Sequence, residues 1–156
     1  YIAARPAIIG SHANHWACLL PVLTGVSIPM FELSPARLQH FRSAALIALL
    51  LLVPGLFVLG AQPVAVGLIP VPWDKVAHCV LFAGFAGLIG LAAGLLPLRR
   101  GGLLVLAFAG ALAIGIADEL HQATLPGRQA GWDDLAADAV GALIGTWVLA
   151  RLGWAR

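Results

Sequence analysis

Ala44-Ala45-Leu46-Ile47-Ala48-Leu49-Leu50-Leu51-Leu52-Val53 is an unbroken apolar block inside an uncharged run that extends from residue 43 to 73. A bilayer core is about 30 Å thick, so a helix needs roughly 20 apolar residues to cross it. The block is the heart of such a span, running from about 42 to 60. Pro54 and Gly55 fall within it. Breakers of this kind are tolerated where neighbouring helices satisfy the freed backbone groups.

Three more uncharged runs follow, at 76–98, 101–117 and 139–150. They predict spans at about 75–96, 102–122 and 133–150. The last run is too short alone, so Asp138 has to lie within that helix near its end. None of the runs alternates apolar with polar residues, as the strands of a membrane barrel do. The fold class is therefore all-α: an integral membrane protein built as a four-transmembrane-helix bundle. Two small-residue pairs, Gly90-x-x-x-Gly94 and Gly141-x-x-x-Gly145, are candidates for close helix contact.

Composition agrees. Of 156 residues, 61% are hydrophobic and only 10% charged, where a soluble domain is about a quarter charged. Too few polar side chains remain to clothe a soluble fold. A soluble globular protein, a nucleic-acid binder and a disordered chain are excluded. The two cysteines, Cys18 and Cys79, define neither a disulfide framework nor a metal knot. Cys79 reads as a small membrane-embedded hydrophobe.

Residues 1–41 read as an irregular N-terminal segment preceding a membrane domain at 42–156. The chain starts at Tyr1, and Met30 is its one methionine. Residues 16–31 are apolar but hold Pro21 and Pro29, with no convincing signal cleavage site. The expectation is that the natural start is Met30 and that 1–29 is not native. A re-entrant or fifth hydrophobic segment is the alternative.

Four spans place alternate loops on opposite sides. Arg37, Arg42, Arg99, Arg100, Arg151 and Arg156 fall on one side, and Lys75 and Arg128 on the other. The positive-inside rule then puts both termini in the cytoplasm. The acids sort oppositely: Asp74, Asp118, Glu119, Asp133, Asp134 and Asp138 gather outside and only Glu32 inside. His78, His121, Gln122 and Trp132 join the outer group. His78 and Asp138 are each followed by an apolar run, which puts them below the headgroups, where ionisable groups face the bundle interior and have partners.

Helical spacing makes Asp74 and His78 neighbours, likewise Asp118 and Gln122, and Glu119 and Gln122. Asp134, Asp138, Gly141 and Gly145 share one stripe. The candidate polar site is Asp74, Lys75, His78, Glu119, Gln122, Arg128, Asp134 and Asp138. Several carboxylates at low dielectric need a counter-charge. Arg128, shaped by the Pro126-Gly127 turn, is expected to pair with Asp134 or Asp138, with binding of a lipid phosphate as its other role. His78 is expected to bond to Asp74 or Glu119.

No metal and no cofactor is expected. His78, Glu119, His121, Asp134 and Asp138 are ligand types, but no HExxH or paired-cysteine spacing is present. Glu119 and His121 diverge on a helix. No serine lies between 44 and 156, which excludes a serine triad in the bundle. His78 and Glu119 are of the right types for acid–base work.

Three stretches carry a family resemblance. Asp74-Lys75-Val76-Ala77-His78 resembles the first signature of the VanZ-like membrane proteins. Asp118-Glu119-Leu120-His121-Gln122, followed by Pro126-Gly127-Arg128, resembles the second. Asp134-Leu135-Ala136-Ala137-Asp138-Ala139-Val140-Gly141 resembles the third, with Asp138 where the family often has Asn. The resemblance spans about 42–150. It implies a small four-helix protein of the bacterial inner membrane; the family's namesake is associated with resistance to the glycopeptide teicoplanin. Three functions compete. The first binds an anionic envelope lipid or lipid-linked cell-wall precursor, with Arg128 and Lys75 on phosphate and His78, Glu119 and Gln122 orienting it. The second is an enzyme of envelope or lipid metabolism using His78 and Glu119. The third is a structural subunit without ligand. Membrane lipids are the expected partners. A transporter would require a homo-oligomer.

Overall fold

The computed structural model describes residues 34–128 and 130–152, so the reading of residues 1–29 lies outside the described residues. Four helices follow in order: α1 (Pro35–Gly60), α2 (Trp73–Ala93), α3 (Arg100–Gln122) and α4 (Trp132–Leu152). Each is long and apolar enough to cross a membrane, and the described residues contain no strand.

Helix α1 starts seven residues before the span that apolarity marks, inside the segment expected to be irregular. Ser34 caps it, its hydroxyl accepting the Arg37 N–H at 3.4 Å, and Pro35 fits the first turn. The uncharged run sets only the part suited to lipid; the capping signal sets where the helix begins. Pro54 leaves α1 continuous. Helix α2 ends at Ala93, three residues before its expected limit, and α4 reaches Leu152, two residues beyond.

Burial is uneven. Ala45 is the one fully buried residue of α1, and Ile47, Leu50, Leu51, Val58 and Leu59 are exposed. Side chains such as these have a place in lipid. The core belongs mainly to the other three helices: Phe82, Phe85 and Ala86 of α2, Ala111 of α3 and Ala142 of α4. Leu49, Val53 and Leu56 of α1 pack against it from outside.

Helices α2 and α4 run parallel and touch at main-chain level. A Cβ on Gly141 would overlap the Cys79 carbonyl, and one on Gly145 the Ala83 carbonyl. Both helices advance in steps of four at this seam, so one small-residue stripe beds on the other helix's backbone. The pair at Gly90 and Gly94 works differently. Those positions face the side chains of Leu149 and Arg42.

The bundle has two chemically distinct ends. At one end the Arg100 guanidinium donates to the Ala150 carbonyl at 2.5 Å, and Arg42 lies over Gly94. At the other, the starts of α2 and α4 meet the 61–72 and 123–131 loops, carrying the acidic residues. Trp73 and Trp132 are exposed there, and Trp147, stacked with Arg151, lies toward the opposite end. Such tryptophans suit the two membrane interfaces.

Candidate functional site

The α2–α4 seam carries its polar groups in the same register. Lys75 and His78 on α2 face Asp134 and Asp138 on α4. Lys75 Nζ lies 2.5 Å from Asp134 Oδ1, 2.8 Å from Asp133 Oδ2 and 3.1 Å from Asp74 Oδ2. One turn deeper, His78 Nδ1 is hydrogen-bonded to Asp138 Oδ1 at 2.8 Å, and His78 Nε2 is 3.8 Å from Asp134 Oδ1. Asp138 is wholly buried. Its other oxygen points toward α3 at Gly115, where a Cβ would crowd both Asp138 Oδ2 and the Phe82 ring.

Helix α3 adds the remaining groups. Glu119 is four residues beyond Gly115, hence on the same face, and is buried. Its Oε2 accepts the Gly131 N–H at 2.8 Å. Asp118 is also buried, and its Oδ2 accepts from Gln122 Nε2 at 2.8 Å. The expected neighbours on this helix therefore meet, because α3 extends to Gln122. His121 diverges from Glu119, as helical spacing requires, and packs edge-on against Phe57 of α1.

Three expected pairings are corrected. Arg128 is not the counter-charge of Asp134 or Asp138: no described carboxylate lies within 4.0 Å of it. Lys75 meets Asp134 and His78 meets Asp138. The cause is the turn at Gly127, whose φ of 75° suits glycine. It carries Arg128 toward the 61–72 loop, where Nη1 donates to the Ala65 carbonyl at 3.1 Å. Lys75 is not left for phosphate, because three carboxylates surround it. His78 bonds to Asp138 rather than to Asp74 or Glu119; Asp74 turns back onto Lys75, accepting its N–H at 2.9 Å.

A cavity of about 1150 Å³ opens beside this network. Its apolar walls come from Leu51, Leu52, Leu56 and Leu59 of α1 and Leu81 and Phe85 of α2. Its polar groups include Asp74, His78, Gln122, Arg128 and Asp134. Gly55 also lines it, with nothing within reach of an added Cβ. An apolar chamber with a few convergent polar groups is the usual form of a ligand site.

Sequence reasoning left Asp118 and Gln62 out of the site. Asp118 was signalled by its spacing to Gln122. Gln62, on the cavity wall, had no signal; only the path of the loop brings it there. Among the described residues, ligand-capable atoms of His78, Glu119 and Asp138 lie within 4.8 Å of one another. The expectation of no metal rested on spacing along single helices, whereas these three groups come from three different helices.

A family model described as VanZ/LLP1 matches residues 17–153. The chain belongs to that family. No curated protein and no solved structure matches it. In this VanZ-like protein the three motif stretches converge at one end of the bundle. The first supplies Lys75 and His78, the second Glu119, Gln122 and Arg128, and the third Asp134 and Asp138.

Proposed function

We propose that this multi-pass membrane protein binds an anionic envelope lipid, its phosphate on Arg128 and its chain between α1 and α2. The observation that carries this reading is the setting of Arg128. It lines a chamber with largely apolar walls, and no described carboxylate is within 4.0 Å. Its hydrogen bond to Ala65 uses one of five N–H donors. A planar guanidinium suits a phosphate oxygen pair. His78 and Gln122 line the same chamber and orient the headgroup. A lipid-linked cell-wall precursor fits this description, and such a ligand would connect the protein to glycopeptide resistance.

The test is binding of purified protein in detergent to a panel of anionic lipids and lipid-linked phosphates, read by native mass spectrometry. A hydrogen bond to a charged group contributes about 1.5–3 kcal/mol. Arg128→Ala is therefore expected to weaken binding about 10- to 100-fold while the helix content stays unchanged. Equal binding by the variant, or no lipid retained by the unaltered protein, sinks the reading.

The acidic end faces away from the cytoplasm, in the bacterial inner membrane. Cysteines replacing Trp132 and Arg99 test this. Trp132→Cys should react with an impermeant maleimide on intact spheroplasts, and Arg99→Cys only after lysis. The reverse pattern would invert the assignment.

A further inference from the structure

We propose that His78, Glu119 and Asp138 form a binding site for a divalent transition-metal ion such as zinc. Each group comes from a different helix, and their ligand-capable atoms lie within 4.8 Å of one another. Ligand atoms on one zinc ion stand about 3.4 Å apart, so closure needs a contraction of about 1–1.5 Å at most. His78 Nδ1 and Asp138 Oδ1 stand 2.8 Å apart across a hydrogen bond, so an ion between them takes the place of the proton and parts them by about 0.6 Å.

The second observation is a set of buried oxygens without partners. Glu119 Oε1 and Asp138 Oδ2 have no hydrogen-bond partner, on side chains more than nine-tenths buried. A buried polar atom in this state is costly and calls for a missing partner. Charge points the same way. Lys75 is surrounded by Asp74, Asp133 and Asp134, which leaves the imidazole of His78 to face Glu119 and Asp138. A divalent ion supplies the missing positive charge.

Helix polarity adds a third argument. Asp118 and Glu119 lie near the C-terminus of α3, where the macrodipole disfavours anions. Their placement is unfavourable for the helix alone and favourable beside a cation. One imidazole with two carboxylates suits zinc or manganese better than calcium.

The inference goes beyond the lipid reading, and zinc titration and lipid binding are separate measurements, so either can fail alone. Protein purified in detergent and stripped with chelator is titrated calorimetrically with zinc chloride. One ion per chain is expected. Loss of an outer-shell partner alone weakens a metal site about 10- to 100-fold, so Glu119→Gln and Asp138→Asn should each weaken binding at least tenfold. X-ray absorption at the zinc edge of the unaltered protein should show one imidazole with oxygen ligands, a readout independent of how any variant folds. The proposal is overturned by absence of stoichiometric zinc, by equal affinity in both variants, or by an edge spectrum without imidazole. An infrared band of protonated carboxyl that disappears in Asp138→Asn, with no zinc bound, also overturns it.

Discussion

Gly141→Leu is expected to unfold the bundle or to lower its thermal stability in detergent severely. A Cβ at this position already overlaps the Cys79 carbonyl, carbon and Cα. Those are main-chain atoms of a helix and cannot rotate aside, as a flexible side chain would. Overpacking usually costs about 1–3 kcal/mol, and occasionally more; this site belongs at the upper end. The helices would have to separate, which also pulls Lys75 from Asp134 and His78 from Asp138. Gly141→Ala should show the same defect in smaller degree. Gly84→Ala is the control: nothing lies within reach of its added methyl, and helix propensity favours alanine by about 1 kcal/mol. Equal melting of Gly141→Leu and the unaltered protein would show that the seam is not closely packed.

Lys75→Ala is expected to have the second-largest effect. Three carboxylates converge on one ammonium, and its removal leaves Asp74 and Asp134 facing each other at the membrane boundary. Removing one partner of a fully buried pair costs roughly 3–5 kcal/mol. Lys75 is 26% exposed and Asp133 69% exposed, so solvent screens part of the loss and a cost of about 1–3 kcal/mol is expected. The diagnostic result is partial rescue by Asp134→Asn in the Lys75→Ala background, because that change removes the carboxylate left most buried without its ammonium. Thermal unfolding of the two single variants and the double variant provides the coupling. Strict additivity would mean that the pair contributes no interaction of its own.

Both predictions depend on the same seam, and its components were unequally visible beforehand. The stripe of Asp134, Asp138, Gly141 and Gly145 is legible because all four lie on one helix at steps of three or four. Its partner is not. Lys75, His78, Cys79 and Ala83 lie some 60 residues away, and their register with α4 depends on a parallel contact between helices that do not follow one another in the chain. Spacing arguments reach only along a helix. They pointed His78 to Asp74, one turn back, whereas it bonds to Asp138 on another helix. Arg128 was misassigned for a related reason: a guanidinium on a loop goes where the turn carries it, and φ at Gly127 directs it to Ala65.

Four membrane-capable helices, their order and the gathering of acids at one end were written into the sequence. Hydrophobic run length and alternating loop sides act through chain connectivity alone, and any packing of the helices preserves them. Which carboxylate meets which cation, and which helices surround Asp138, were decided only by tertiary structure. Those contacts require backbones to approach within a glycine's width, and that distance is a property of two helices together.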